Sequence, residues 1–475
     1  MWLTPFRSCE VEGIGPRDAR LPNVFSSFGR WGLFSLLFFL VMMGVMAERA
    51  RTQAITFDEA NIYATFIALP WPGSFNTYDA GNHFLQTSLS KISIKLLGVS
   101  EFSLRLPTLI GAALYFSAAI VLCGFVFPSP GFGTAVLLLL TLNPFLLDFM
   151  SAARGYGLAL GMFLWAFVLI CRQLASSAGR SLPLVAGGFL LGLAVTANLT
   201  FAYPAVALIG AVGVTAAARA FPERSAGAWR TALLSSWKIF WPFALIGGPI
   251  VWFLFLNAKT ADYYYGAPAL YETLTSLTWS SLFNHPRPIG GRYTLGILFP
   301  ASEWIATIVL PATVLAIAAI SALAWRKAQD AKKRPALITA SVAAVTIPAI
   351  VMEWVVSHET AGVPFPYTRT ALYMIPLGTI GVFSAIDLMS EWKYLGRWVR
   401  TAALGVASVL VLQYLAGFSM KHYGDWRAAT GTKEILRVIE ATERGSPPNS
   451  VRINASFTLE PGLNFYRKQW HLDRL

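Results

Sequence analysis

Long apolar stretches recur along the chain, and short polar stretches separate them. Most approach the roughly 20 residues that a helix needs to cross a hydrocarbon core of about 30 Å. The pattern therefore predicts an all-α polytopic membrane protein with about eleven transmembrane helices. The apolar stretches lie at residues 31–47, 106–126, 132–149, 156–172, 182–202, 203–218, 236–256, 304–325, 336–357, 367–387 and 398–419.

Composition agrees with this pattern. The 475 residues are 55% hydrophobic and 13% charged, and their mean hydropathy is +0.56, values that exclude an ordinary soluble protein. The three cysteines, Cys9, Cys123 and Cys171, have no paired spacing, so neither a disulfide framework nor a zinc site is indicated.

The net charge of +13 reflects where lysine and arginine fall. Basic residues cluster near 219–230, 326–334 and 393–400, and cytoplasmic loops carry such an excess. This asymmetry predicts a cytoplasmic N-terminal segment (1–30) and a transmembrane domain (31–419). It places two long loops (48–105 and 257–303) and the C-terminal tail (420–475) outside.

The outer segments carry further helical patterns. In the first loop, Leu85, Leu89, Ile92 and Leu96 recur at helical spacing, which predicts a helix lying in the membrane interface. In the second loop, the three tyrosines at 263–265 are typical of interfacial anchors. The tail reads as a helix at 430–443 and a strand at 451–457, a small α/β unit that packs on the outer loops.

Two adjacent carboxylates follow the first apolar stretch, in the segment Thr56–Tyr63, which reads TFDEANIY. Thr56 and Glu59 have the spacing of a capping box, so one hypothesis is that Asp58 and Glu59 only begin a short helix. The other is that Asp58 faces a substrate pocket as a general base, while Glu59 holds or supports the helix start.

Three arginines are predicted at the same outer level as these acids. Arg105 begins the second apolar helix, Arg154 with Tyr156 begins the fourth, and Arg369 begins the tenth. Each taken singly is explained by a side chain that extends to the interface. Together they indicate a site, because guanidinium groups bind phosphate well.

A lipid-linked phosphate also explains why one carboxylate is enough. Phosphate leaves as a stable anion, whereas the alcohol that leaves a sugar–sugar bond requires a second carboxylate as acid. A single aspartate that deprotonates an acceptor hydroxyl therefore predicts a one-step transfer of sugar with inversion.

Several motifs resemble those of a known superfamily. Residues 78–87 read YDAGNHFLQT, residues 98–109 read GVSEFSLRLPTL, and residues 151–156 read SAARGY. Together they resemble the polyprenyl-phosphate-sugar-dependent glycosyltransferases of the GT-C superfamily, in particular the bacterial protein mannosyltransferase-like and ArnT-like proteins. The resemblance covers the first 170 residues, and the rest by layout, including 366–376 (PYTRTALYMIP) and 459–467 (LEPGLNFYR).

The resemblance implies a GT-C type bundle and a set of site residues. Asp58 would be the catalytic or acceptor-orienting acid with Glu59 beside it, and the donor would lie near Asn82 and His83. The substrate-binding set is completed by Arg105, Arg154, Tyr156 and Arg369.

The chain departs from the resemblance at one position. Many relatives have an acid shortly before the arginine of the fourth helix, where this chain has Ala152 and Ala153; Asp148, one turn earlier, is the candidate substitute. Some GT-C enzymes use a divalent cation and others do not. His83 has no second histidine at ligand spacing, so no metal or other cofactor is assigned.

The leading hypothesis is thus a glycosyltransferase of the bacterial plasma membrane, with its active site and C-terminus outside. It would move a sugar from a polyprenyl phosphate to a glycan, lipid or protein acceptor, with no role for nucleic acid. The alternative is a transporter or flippase for a lipid-linked substrate, although such proteins place functional charge near the midplane of the bilayer. A structural membrane subunit is a third possibility if Asp58 only caps a helix. The sequence does not specify the sugar, the acceptor, the length of the carrier or the oligomeric state.

Overall fold

A computed structural model describes residues 24–70, 79, 81–176, 181–220, 226–257, 265–283, 300–327, 334–390, 392, 394–445, 447 and 452–472. The α-helices in these ranges are α1 Val24–Thr52, α2 Phe57–Ile62, α3 Phe84–Leu97, α4 Glu101–Val126, α5 Pro130–Leu142, α6 Pro144–Phe149, α7 Tyr156–Ala175, α8 Leu182–Ala197, α9 Ala202–Ala220, α10 Ala226–Asn257, α11 Leu270–Thr278, α12 Leu310–Lys327, α13 Arg334–Ala361, α14 Met374–Met389, α15 Leu395–Gly417, α16 Thr432–Arg444 and α17 Glu460–Gln469.

The prediction of an all-α polytopic membrane protein is confirmed. Seven helical stretches in the described ranges are long and apolar enough to cross a membrane, in α1, α4, α7, α9, α12, α13 and α15. Shorter apolar helices are α5, α8 and α14. In the same ranges the β-structure is one isolated bridge, between Ala267 and Phe365. The exact number of spans remains a prediction.

Two predicted apolar runs are interrupted. The run at 132–149 breaks into α5 and α6 because Asn143 caps the second helix and Pro144 occupies its first position. The Asn143 carboxamide oxygen accepts hydrogen bonds from the N–H groups of Phe145 and Leu146, at 3.0 and 3.2 Å. The run at 367–387 begins with a short 3₁₀ turn, Thr368–Ala371, before α14.

Close packing of α4 against α7 depends on glycine. A methyl group on Gly111 would lie 2.4 Å from the backbone of Leu158, and one on Gly161 would lie 2.3 Å from the Gly111 carbonyl oxygen. Small residues allow two helices in a membrane to approach until their backbones are in contact. This pair of helices fixes the position of the α7 start, which carries part of the site.

Helix α3 forms where the spacing in the first loop predicts a helix, and its location at the membrane interface stays a prediction. Its polar side faces α4, where the Ser90 hydroxyl donates to the Leu104 carbonyl oxygen at 2.9 Å and Thr108 donates to Gln86 at 3.2 Å. Its apolar side is left open, since Ile92 is 51% and Leu96 75% exposed. An open apolar face is expected for a helix that rests on lipid.

The tail contains helices but not the predicted strand. Helix α16 agrees with the helix expected at 430–443, whereas residues 452–456 have no regular structure and α17 follows them. Leu463, Phe465 and Tyr466 of α17 are buried in a small apolar cluster with Ile55 and Ile62. The strand prediction is wrong because the segment finds no ladder partner among the described residues.

We expect Gly111→Ala to destabilise the protein by about 1–3 kcal/mol, because its methyl group meets backbone atoms that cannot yield. Gly210→Ala in α9 is the matched control, since nothing lies within 4 Å of the added methyl group. Thermal unfolding of the purified proteins in detergent measures the difference. A melting temperature for Gly111→Ala equal to that of the control would contradict the described contact between α4 and α7.

Candidate active site

The segment that contains both acids forms a capped helix start. The Thr56 hydroxyl accepts a hydrogen bond from the Glu59 N–H at 3.2 Å, and the Glu59 carboxylate accepts one from the Thr56 N–H at 2.9 Å. The capping box is therefore real. It uses Glu59 and leaves Asp58, the preceding residue, to point elsewhere.

Glu59 lies in a fully buried ion pair with Arg105. The Arg105 Nε and Nη2 atoms donate to the two carboxylate oxygens at 2.8 and 2.7 Å, and both side chains are 0% exposed. Arg105 also donates to the backbone carbonyl groups of Ala50, Gln53 and Ala54 at the end of α1. The pair thereby ties α1, α2 and α4 together.

The same carboxylate reaches the start of α7. The Ala153 N–H donates to the Glu59 Oε1 atom at 2.6 Å. Burial alone would raise the pKa of Glu59, but the Arg105 guanidinium and these N–H donors lower it below its ordinary value, so Glu59 is ionised. Its hydrogen-bonding capacity is used within the protein, which makes it a support for the segment before α7.

Asp58 faces three side chains from distant parts of the chain. Its Oδ2 atom lies 3.5 Å from the Arg154 Nε atom and 3.4 Å from the Arg369 Nη2 atom. It also accepts a hydrogen bond from the Trp426 indole N–H at 3.2 Å. Burial would raise the pKa of Asp58, but the two guanidinium groups and the indole lower it, so the carboxylate is ionised at neutral pH.

A cavity of about 640 Å³ opens beside Asp58, within the range typical of small-molecule sites. Its polar wall holds side chains from the segment between α1 and α4, the α7 start and the segment before α14. Its apolar wall comes from α8, the α8–α9 connection and α10. The lining residues include Asp58, Asp79, Asn82, His83, Arg154, Tyr156, Val195, Leu199, Ile250, Val251, Tyr265 and Arg369.

His83 is buried at the polar wall. Its ring meets the Tyr156 ring edge-on, with the centroids 5.5 Å apart, and its Nε2 atom has no hydrogen-bond partner among the described residues. Burial, together with Arg154 and Arg369, lowers the pKa of His83 well below its ordinary value. The imidazole is therefore neutral and can exchange a hydrogen bond with an uncharged ligand group.

Gly155 brings His83 to this position. The glycine has φ 71°, in the left-handed region, and an added methyl group would lie 2.9 Å from the His83 Cβ atom and 2.2 Å from the Ala197 carbonyl oxygen. No other residue type fits this backbone and this approach. The preceding residue, Arg154, is thus aimed at Asp58 while Tyr156 begins α7.

Arg369 is held by aromatic faces. Its guanidinium lies 4.3 Å from the Tyr265 ring centroid and 5.7 Å from the Trp426 ring centroid. Burial would lower the pKa of Arg369, but Tyr156, Tyr265 and Asp58 raise it above the ordinary value. Arg369 is a fixed cation, suited to an anionic ligand.

The structure brings six of the eight predicted site residues to one cavity. Those that line it are Asp58, Asn82, His83, Arg154, Tyr156 and Arg369. Glu59 and Arg105 do not line it and form the buried pair behind it. Asp148, the candidate substitute acid, is not at the cavity either, because it pairs with Arg49 at 2.6 Å and accepts the Gly424 N–H at 2.6 Å.

Sequence reasoning missed several residues that reach Asp58 or its cavity. Trp426 comes from the polar tail, where nothing in the local pattern points to a site. Tyr265 falls in the run of tyrosines interpreted as interfacial anchors. Asp79 is the second residue of the motif at 78–87, and the motif assigns it no separate role. Tyr263 and Tyr264 lie outside the described residues.

The described ranges contain no group of three His, Cys, Asp or Glu side chains that could hold a metal ion. Asp58 faces two guanidinium groups, whose charge disfavours a cation beside the same oxygen.

The helices and the cavity define a polytopic α-helical membrane protein with a charged site at the ends of its helices. No protein-family model and no curated protein sequence matches the chain. Among solved structures, ArnT from Cupriavidus metallidurans bound to undecaprenyl phosphate is similar at 14% identity and a TM-score of 0.46, over 92% of this chain and 85% of that chain. ArnT in the apo state is similar at 13% identity and 0.49, over 92% and 84%.

The archaeal oligosaccharyltransferase AglB from Archaeoglobus fulgidus, in complex with an inhibitory peptide and a dolichol-phosphate, is similar at 13% identity and a TM-score of 0.40, over 94% of this chain and 60% of that chain. Each TM-score is below 0.5, so these likenesses carry no argument about function.

We expect Glu59→Gln to destabilise the protein by about 3–5 kcal/mol, because it leaves the buried Arg105 charge without its partner. Glu48→Gln makes the same chemical change in the exposed pair with Arg51, where about 1 kcal/mol or less is expected. Thermal unfolding in detergent compares the two variants. Equal melting temperatures would show that the pair is not the support described here.

Proposed function

We propose that this protein is a GT-C type glycosyltransferase that moves a sugar from a polyprenyl-phosphate carrier to a glycan, lipid or protein acceptor. The observation that carries the proposal is the arrangement at Asp58, where an ionised carboxylate and two guanidinium groups meet on a cavity with an apolar wall. Catalysis of this transfer needs a base, a phosphate site and room for a lipid chain.

The phosphate site is proposed at Arg154 and Arg369. Both side chains line the cavity, and both are mostly buried, at 8% and 15% exposure. Guanidinium groups in a poorly solvated pocket bind phosphate strongly and stabilise the charge that grows as phosphate leaves. A ligand phosphate would share these groups with Asp58.

The lipid chain is proposed to lie against the apolar wall. Val195 of α8 and Ile250 and Val251 of α10 face the cavity, and Val251 is 42% exposed. A wall built by membrane helices gives a prenyl chain a route from the bilayer to the phosphate site. This combination favours a lipid-linked donor over a soluble nucleotide sugar.

The proposed reaction is a single displacement. Asp58 takes the proton from an acceptor hydroxyl, whose oxygen attacks the anomeric carbon of the donor sugar. The bond from that carbon to the phosphate oxygen breaks, and polyprenyl phosphate leaves with the electron pair. Because phosphate is a stable anion, no acid is needed, and configuration at the anomeric carbon inverts.

The remaining cavity residues are assigned to the donor. Asn82 and the neutral His83 would hydrogen-bond sugar hydroxyl groups, and Tyr156 would bind beside them. Glu59 and Arg105 act at a distance, by holding the segments on which Asp58 and Arg154 stand. The sugar itself is not specified by these contacts.

We also propose a location and an orientation. The cavity lies where α1, α8 and α13 end and where α7 and α14 begin, whereas the basic clusters near 219–230, 326–334 and 393–400 fall at the opposite ends. The excess of basic residues places those opposite ends in the cytoplasm. The active site and tail would then lie on the outer side of a bacterial plasma membrane.

Asp58→Asn is expected to lose turnover by about 10²–10⁴-fold, because the base is removed while its shape is kept. The same variant should bind undecaprenyl phosphate at least as tightly as the unmodified protein, because no carboxylate then competes for Arg154 and Arg369. Release of undecaprenyl phosphate from its mannose, glucose, galactose and arabinose esters measures turnover, and calorimetry in detergent measures binding. Unchanged turnover in the variant would refute the proposed base, and binding without turnover in the unmodified protein would favour the transporter alternative.

Arg154→Ala and Arg369→Ala are each expected to weaken undecaprenyl phosphate binding by about tenfold to a hundredfold, the effect of losing one charged hydrogen bond. Arg437→Ala is the control, since that arginine is 65% exposed and lies in α16, away from the cavity. Calorimetric dissociation constants test this. Affinities equal to that of the control would indicate that both arginines only reach toward the interface.

A further inference from the structure

Trp426 links the C-terminal tail to the proposed base. It follows α15, is only 9% exposed, and packs its indole edge-on against the rings of Phe149 and Tyr423, at centroid distances of 5.5 and 6.1 Å. From this fixed position its N–H donates to the Asp58 Oδ2 atom at 3.2 Å. The indole cannot follow a ligand into the cavity without losing its packing.

The three side chains at Asp58 converge on one oxygen. The shortest ion-pair contacts from Arg154 and Arg369 reach Oδ2, at 3.5 and 3.4 Å, and the Trp426 indole makes the hydrogen bond to the same atom. Oδ1 accepts no hydrogen bond from the residues that the structure describes. A carboxylate held by one oxygen presents the other to an incoming group. Oδ1 is thus the atom that would take the acceptor proton.

Two of the three side chains at Asp58, Arg154 and Arg369, have a second proposed partner. Under the proposed function, Arg154 and Arg369 also bind the donor phosphate, and a guanidinium group that turns to the phosphate weakens its ion pair with Oδ2. The indole is uncharged and has no such second partner. It would remain as the contact that keeps the carboxylate from rotating during the reaction.

We propose that Trp426 is a positioning residue for the transfer, which fixes the Asp58 carboxylate through Oδ2 so that Oδ1 faces the acceptor hydroxyl when the arginines engage phosphate. This assignment rests on the proposed function and adds a residue that neither the motifs nor the cavity lining contains. It also makes the tail part of the catalytic machinery.

The charges around Asp58 give the assignment a distinct signature. Arg154 precedes α7 and Arg369 precedes α14. The other titratable groups near Asp58 are Asp425 of the tail and the cavity residues Asp79, His83, Tyr156 and Tyr265, while Glu59 is paired with Arg105. The indole hydrogen bond is one of the causes that lower the pKa of Asp58. Its removal should raise that pKa and move the acid limb of the rate profile to higher pH.

The test is Trp426→Phe in the full-length protein, which keeps an aromatic ring against Phe149 and removes the N–H. With the undecaprenyl-phosphate sugar that the unmodified protein turns over, we expect kcat to fall by about tenfold, the effect of one hydrogen bond to a charged group. The donor KM should change by less than about twofold, because phenylalanine keeps an aromatic ring beside Arg369, the proposed phosphate ligand. The acid limb of kcat should move to higher pH.

Two further variants separate positioning from folding. Trp470→Phe makes the same change at another tail tryptophan, which packs on Tyr466 at 5.5 Å and has no described contact with Asp58; it should keep the kcat and pH profile of the unmodified protein. Replacement of Trp426 by benzothienylalanine keeps the bicyclic shape and lacks only the N–H. It should reproduce the fall in kcat even if Trp426→Phe does not fold.

The outcomes are distinguishable. Unchanged kcat and pH profile in the benzothienylalanine protein, with Asp58→Asn inactive, would overturn the role of Trp426 and leave the proposed function standing. An equal loss in Trp470→Phe would also overturn it, because the effect would then be general to the tail. Wild-type turnover in Asp58→Asn, or no release of undecaprenyl phosphate from any of the four sugar esters, would overturn the proposed function and this assignment with it.

Discussion

The buried pair between Glu59 and Arg105 is the interaction on which the site depends. Burying two charges away from water is costly unless each is fully paired. Here the Arg105 guanidinium donates to both Glu59 carboxylate oxygens, and its other N–H groups donate to backbone carbonyl groups at the end of α1. The same carboxylate binds the Ala153 N–H, next to Arg154. The pair therefore sets the distance from the turn that carries Asp58 to the arginine that faces it.

Asp58 and Glu59 show how one helical turn separates two roles. Adjacent residues on a helix point about 100° apart, so the capping geometry that sends Glu59 inward sends Asp58 to the cavity. The two carboxylates then have different partners. Glu59 binds the buried Arg105 guanidinium, whereas Asp58 contacts Arg154, Arg369 and Trp426. The capping box and a place for Asp58 at the cavity are compatible in this segment, because the cap fixes the direction in which Asp58 points.

The tail belongs to the same unit as the membrane helices. The Tyr466 hydroxyl accepts the Ile55 N–H at 2.7 Å and donates to Glu101 at 2.9 Å, so α17 clamps the segment between α1 and α2. Lys433 of α16 pairs with the same glutamate, and Trp426 reaches Asp58. This polar segment gains stability by packing on the ends of the membrane helices. In return, it supplies a donor to the site.

Much of this architecture could be predicted from the sequence because its causes are local. Apolar runs, the capping box, the interfacial pattern of α3 and the arginines at helix starts each follow from spacing within a few turns. The break at Asn143, the missing strand at 451–457, the withdrawal of Arg105 from the cavity and the arrival of Trp426 could not be predicted in this way. Each depends on which distant group lies opposite, and only tertiary packing decides whether a buried charge meets a partner or a cavity.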